Sequence, residues 1–484
     1  MNTGQSSHRN PSKIKYSDLT IVLLLIGLPL IGLHTSFFNN HRSKNLHQAK
    51  NHDTKAVEKL KVPKKLLKTK RPKPLPNILF YKTHKTGSSS IQNIMYRLGL
   101  YQKMPIIFAG GYSTTIGYPH KFSVSMVINK LHSAKISTNH LRPSEELYEV
   151  FTTGQENLFQ FTIIREPYSL LKSSFHYYRS YSDCFENAKD FSDLMKNYPK
   201  LALKDQQSDR ASHPFCHNLL SYDLGYEKNL FAIAGKNAFN DKIKKVQKDT
   251  RINEIVSDLD KKLDLCLILE HYWESIILLK EALNLSFEEV IAFKLNRAIP
   301  NEGKKMIEEY GFDTKNDDKL NNYYQNELIP KYLPIDTAIY KHFYQKFINK
   351  WKEYGEEKMA KDIKILKEMT KNLYEKTCQV TEVLPKIKAR FKKNQNVPEN
   401  KQSWHPPNVK ISALLMDIPE TDENYDLCLH MTLPENSMGG FVKNKQRKDG
   451  VIKKGRRRRN ILDEQCSINL ILDGIKLRGI KVKL

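Results

Sequence analysis

The segment from Asn77 to Gln92 constrains this chain more than any other. Ile78, Leu79 and Phe80 form an apolar run of strand character. Lysine, threonine, glycine and serine follow from Lys82 to Ser90, and a helix begins. A strand that turns into a helix in this way aims backbone N–H groups and a positive dipole end at one point, a ready seat for phosphate or sulfate. Gly87 allows close backbone approach, and the amides near Ser88, Ser89 and Ser90 face the anion. The residue order argues against a nucleoside-triphosphatase loop, in which the lysine follows the last glycine. Here Lys85 precedes Gly87, and no glycine stands in the strand ahead of it.

A second strand-to-helix unit runs from Phe159 to Tyr178. Its apolar strand breaks at Arg165-Glu166-Pro167, and Pro167 suits the first turn of the helix that follows. Arg165 and Ser173 stand eight residues apart across that junction. A guanidinium gives bidentate phosphate recognition and a hydroxyl adds a neutral donor, so the pair suits a second phosphate. The plainer reading is an arginine at a sheet edge and a serine on a solvated helix face. From Asn77 to about Asn296 strands and helices alternate, which predicts a mainly parallel sheet covered by helices, with both motifs at strand ends.

The first loop resembles the 5′-phosphosulfate-binding loop of sulfotransferases, which use 3′-phosphoadenosine 5′-phosphosulfate (PAPS). The string Lys82-Thr83-His84-Lys85-Thr86-Gly87-Ser88-Ser89 resembles one branch, the galactose-3-O-sulfotransferases. Further landmarks in the same order are similar to that family: His217 to Gly225, Leu265 to Lys280, Phe293 to Arg297, Ile335 to Phe343, and Cys428 with Met431 to Glu435.

The resemblance implies a P-loop-like α/β sulfotransferase fold and sulfuryl transfer from PAPS to the 3-hydroxyl of a terminal β-galactose, on glycolipid or glycoprotein. It implies that Lys85 stabilises the leaving phosphate. Lys82, Thr83 and the Thr86, Gly87, Ser88 and Ser89 stretch would hold the phosphosulfate, and Arg165 with Ser173 the 3′-phosphate. A sugar hydroxyl is a poor nucleophile and needs a base, for which histidine suits neutral pH. His140 resembles the base of related glycan O-sulfotransferases and takes that role here, with His84, inside the loop, as the alternative. No metal is required, and the Asp, Glu and His spacings suggest none. His176, Tyr177, Tyr178 and Tyr181 either line a sugar groove or pack in the core.

With 79 Lys and Arg against 53 Asp and Glu, the chain has a formal net charge of +26, which favours anionic partners without choosing among them. Leu19 to Phe38 is long and apolar enough to anchor in a bilayer; a cleaved signal peptide is the competing reading, against which stands the lack of a convincing small-x-small cleavage site after Leu33. The flanking charges are balanced, so orientation follows only from the family, whose members are type II Golgi proteins. The expected organisation is a cytoplasmic tail (1–18), a signal-anchor helix (19–38), a basic stem (39–76), a lumenal sulfotransferase domain (77–442) and a basic extension (443–484) containing Arg456 to Arg459. The Golgi membrane is then a partner, nucleic acid is not, and a homodimer stays open.

The six cysteines, Cys184, Cys216, Cys266, Cys378, Cys428 and Cys466, permit disulfides but do not dictate their pairing. Cys266 lies in an apolar strand and reads as a buried thiol. Asn284-Leu-Ser286 is an N-glycosylation sequon, although Ser286 with Glu289 equally reads as a capping box. Tyr340, Phe343, Phe347 and Trp351 recur at helical spacing and predict a packing face.

Two rival functions fit parts of this pattern. A P-loop kinase shares the strand-loop-helix geometry but not the loop order. A membrane-tethered binder of acidic glycans, without catalysis, fits the charge.

Overall fold

A computed structural model describes residues 74–110, 115–129, 131–154, 156–206, 214–226, 242–296, 322–383, 397–403, 409 and 411–452. The expected tail, anchor at 19–38, most of the stem, Arg297, the arginine run and Cys466 lie outside the described residues. Among the described residues no helix is long and apolar enough to cross a membrane.

Four parallel strands form the central sheet: β1 (Asn77–Tyr81), β2 (Ile136–Ser137), β3 (Leu158–Ile164) and β4 (Leu265–Ile268), in the order β2-β1-β3-β4. All residues of β1 and β4 are buried, which explains why these strands read as continuous apolar runs without alternation. Phe80 stacks on Phe161 at 4.8 Å across the β1–β3 pair. Strand β2 is short, because only Ile136 and Ser137 pair with β1.

Since β1, β3 and β4 run in parallel, their C-terminal ends deliver Lys82, Arg165 and Leu269 to one edge of the sheet. Helix α1 (Ser88–Tyr101) follows β1, and α2 (Pro167–Tyr177) follows β3. Glu166 caps α2 by accepting from the amides of Tyr168 (2.9 Å) and Ser169 (2.8 Å), and Pro167 occupies the first turn as expected. The short α3 (Leu219–Asp223) belongs to the family-like segment that begins at His217.

After β4 come α4 (Tyr272–Ala282) and a long pair, α5 (Pro334–Tyr354) and α6 (Glu356–Asn372). Phe343 and Phe347 are buried on α5, with Tyr340 and Trp351 packed against the core, so the aromatic stripe is a packing face. The buried Asp336 carboxylate accepts from the amides of Leu220 and Ser221, both at 2.9 Å, and so ties α5 to α3. The antiparallel pair β5 (Val380–Val383) and β6 (Ala413–Met416) leads to α7 (Tyr425–Thr432) and α8 (Glu435–Lys448). Helix α8 continues past the boundary expected at 442/443. Its Gln446 amide donates to the carbonyls of Gly99 and Met104, and Gly439 lies so close to Tyr96 that an added Cβ would meet its Oη at 2.8 Å. This C-terminal part is therefore packed onto α1.

Cys184 pairs with Cys216, and Cys378 with Cys428. Cys266 is a buried thiol whose pKa burial pushes up. Ser286 and Glu289 form both bonds of a capping box at the helix Phe287–Val290, so the sequon serine has a structural task.

Candidate active site

Gly87 is the N-cap of α1 and lies at φ 72°, the left-handed region that favours glycine. A Cβ there would meet Leu269 Cδ1 at 2.7 Å, so the loop is pressed against the end of β4. Thr83, Thr86 and Ser88 turn inward and hold this shape. Thr83 Oγ1 donates to the Ile163 carbonyl at 2.5 Å and bonds Thr86 Oγ1 at 2.8 Å, while Ser88 Oγ donates to the Thr83 carbonyl at 2.7 Å. Their hydroxyls are thus engaged within the loop and with β3. Ser89 differs: its hydroxyl donates to Glu435 at 2.9 Å and accepts from the Asn296 amide at 3.1 Å.

Three cations gather around the loop. Lys82 Nζ is buried, donates to Ser88 Oγ at 3.1 Å and lies 3.4 Å from Glu435 Oε2. Lys85 Nζ sits over the Tyr177 ring, 3.5 Å from its centroid, a cation–π contact. Arg165 Nη1 donates to the Lys85 carbonyl at 3.1 Å. Burial, then Arg165 and Lys82, push the Lys85 pKa down to about 7, while Glu435 acts the other way. Burial lowers that of Lys82 as well, against the pull of Glu435 and Asp223. Such mutual repulsion in a buried place is relieved by an anion on the same donors. Ser173 is half-buried in the second turn of α2, one turn before Tyr177 on the same helix face.

The two candidate histidines come together. Their rings stack with centroids 4.0 Å apart and planes 12° from parallel. Nδ1 of His140 lies 3.0 Å from the Lys82 carbonyl, an acceptor only, so it carries the proton and leaves Nε2 with its lone pair. Burial, then His84 and Lys82, hold the His140 pKa well below its usual value. Nδ1 of His84 lies 3.0 Å from both oxygens of the buried Asp223, and its backbone N–H donates to Oδ2 at 2.7 Å. Tyr118 donates to Oδ1 of the same carboxylate at 2.9 Å. The carboxylate presets the His84 tautomer, with the proton on Nδ1 and Nε2 as acceptor.

Of the aromatic residues after the second motif, Tyr177 carries Lys85, and Tyr178 stacks on Phe215 at 3.8 Å as a wall beside His84. Tyr181 is half-buried and His176 exposed. Among the described residues no group of three or more His, Cys, Asp or Glu could hold a metal ion.

The sequence profile of the galactose-3-O-sulfotransferase family matches residues 7–440. The chain belongs to this family. Galactose-3-O-sulfotransferase 2 of Sus scrofa is 26% identical over 57% of this chain and 61% of its own length. The Homo sapiens protein of the same name is 29% identical over 46% and 52%, respectively. Galactosylceramide sulfotransferase of Mus musculus is 28% identical over 62% of this chain and 63% of its own length. The alignments thus span about three-fifths or less of these relatives.

The donor set fits the family's polyanionic donor: Lys82, Lys85 and Arg165 with one hydroxyl, Ser89, around a helix start that has no room for a Cβ at Gly87. Sequence reasoning named Asp223 and Glu435 only as landmarks. Nothing in their spacing links either to the loop, since Asp223 is 139 residues from His84 and Glu435 is 346 from Ser89.

Proposed function

We propose that this galactose-3-O-sulfotransferase family member transfers a sulfuryl group from PAPS to the 3-hydroxyl of a terminal β-galactose on a glycolipid or glycoprotein glycan. In this reading the chain is a single-pass type II Golgi membrane protein with a lumenal catalytic domain and a P-loop-like fold. The observation that carries the proposal is the juxtaposition of three cations and a carboxylate-backed histidine at one end of the sheet.

PAPS, when bound, supplies a sulfuryl group on a phosphate leaving group. Lys82, Ser89 and the first amides of α1 would hold the phosphosulfate, and Arg165 with Ser173 the 3′-phosphate. Lys85, once an anion restores its proton, would neutralise charge on the leaving oxygen. His84 would take the proton of the sugar hydroxyl at Nε2, and Asp223 would stabilise the resulting imidazolium. The Asp223 contact favours His84 over His140 as base, reversing the order expected from sequence, because His140 has only a carbonyl behind it and lies where burial and Lys82 disfavour charge. The stacked His140 ring keeps His84 in place.

The deciding experiment is transfer of radiolabelled sulfate from PAPS by the purified full chain to a panel of β-galactosides, with 3-O-blocked controls. Label on free but not on 3-blocked galactosides is expected. No label, with 3′,5′-ADP still bound, rejects the acceptor. Salt-sensitive glycan binding without transfer, unchanged in Lys85→Ala, supports the non-catalytic rival.

A further inference from the structure

One oxygen of Glu435 collects the donors of the loop. Its Oε2 accepts from Ser89 Oγ at 2.9 Å, faces the Asn296 amide at 3.4 Å and lies 3.4 Å from Lys82 Nζ. Two of these, Lys82 and Ser89, are the groups assigned above to the phosphosulfate. The third, Asn296, stands at φ 56° and presents its N–H groups inward, while its Oδ1 is buried with no hydrogen-bond partner among the described residues. An ordinary counter-ion would neutralise Lys82 through one contact. Here a carboxylate oxygen sits where a hydroxyl, an amide and an ammonium converge, an arrangement suited to an oxyanion. It arrives from far away in sequence, on the first residue of α8, and only its Ser89 contact is short.

We infer that Glu435 sets an affinity threshold at the donor site: a tethered carboxylate that competes with anions for the Lys82, Ser89 and Asn296 donors. The inference rests on reading the loop as the phosphosulfate seat. A small anion such as inorganic sulfate or phosphate engages little besides these donors and loses to the tethered group. A ligand that also reaches Lys85 and Arg165 has binding energy left to displace it. A tethered competitor lowers the affinity of every anion by the same factor. The donor, held by several cations, still binds, whereas simple anions are pushed to concentrations where they no longer inhibit.

Glu435→Gln keeps the shape and removes the charge. In calorimetric titrations of the full chain, Glu435→Gln is expected to bind both 3′,5′-ADP and inorganic sulfate about tenfold more tightly than wild type, the change for a carboxylate holding its place about nine-tenths of the time. Unchanged or weaker binding of 3′,5′-ADP by a folded variant overturns the inference and leaves the donor-site reading intact. Absence of 3′,5′-ADP binding in wild type and variant alike overturns both. Hydrogen exchange in wild type needs no variant: residues 435–438 should exchange faster when 3′,5′-ADP is added, and slower exchange there contradicts displacement.

Discussion

Asp223 grips His84 twice, through the backbone N–H at 2.7 Å and the ring Nδ1 at 3.0 Å. One carboxylate therefore sets both the course of the loop and the tautomer of its histidine. That double contact couples the proposed anion seat to the proposed proton acceptor, because His84 lies between Lys82 and Lys85 in the chain.

Asp223→Asn should separate positioning from binding. An amide can still hydrogen-bond His84 but cannot stabilise its imidazolium and favours the wrong tautomer. We expect kcat to fall by about 10²–10⁴-fold, with the affinity for 3′,5′-ADP within about threefold of wild type. Steady-state kinetics beside calorimetric binding distinguishes this from a merely structural role, which would lower both.

Lys85 predicts a pH dependence of anion binding. Its pKa is pushed down to about 7 by burial, Arg165 and Lys82. Only the protonated form attracts the anion, so affinity for 3′,5′-ADP is full below about pH 7. It should weaken by up to about tenfold per pH unit above it. Lys85→Arg stays protonated throughout and should remove this part of the pH dependence, while losing turnover because a planar, delocalised guanidinium does not supply the ammonium's compact point charge at the leaving oxygen. Titrations between pH 6 and 9 check both.

Arg165→Ala removes a bond to the Lys85 carbonyl and, on the proposed reading, a charge-assisted contact to the 3′-phosphate. A loss of about 2 kcal/mol, or roughly thirtyfold, is expected in the affinity for 3′,5′-ADP. Affinity for 5′-AMP, which lacks the 3′-phosphate, should change by much less. Equal losses for the two nucleotides would place Arg165 elsewhere.

The Cys184–Cys216 bridge spans 32 residues and anchors the segment that carries Phe215, whose ring lies against Tyr178 and edge-on to His84. Replacing both cysteines by serine should lower stability by about 3 kcal/mol, read by chemical denaturation. The Cys266→Ser exchange, at a buried thiol outside both bridges, should leave reductant sensitivity unchanged.

Local order in the chain was sufficient for the parallel sheet, the two strand-to-helix motifs and their place at the strand ends. Apolar runs, Gly87 and Pro167 act through their own backbones and nearest neighbours, so their meaning survives without the fold. The same holds for Ser286 with Glu289, a pairing within one helical turn, and for the aromatic stripe on α5.

Other features depended on parts distant in sequence. The cysteine pairing, the stacking of His84 on His140 and the Asp223 contact all join residues tens to more than a hundred positions apart. Which hydroxyls of the loop turn inward, leaving Ser89 to face Glu435 and Asn296, was settled by the carbonyls of Thr83 and Ile163. Sequence alone thus determined the parallel α/β class, the strand-loop-helix turn at Gly87 and the list of candidate groups, because each is written in short-range pattern. Tertiary structure decided which histidine has a carboxylate behind it and which carboxylate enters the loop, because only long-range packing brings those charges within hydrogen-bonding reach.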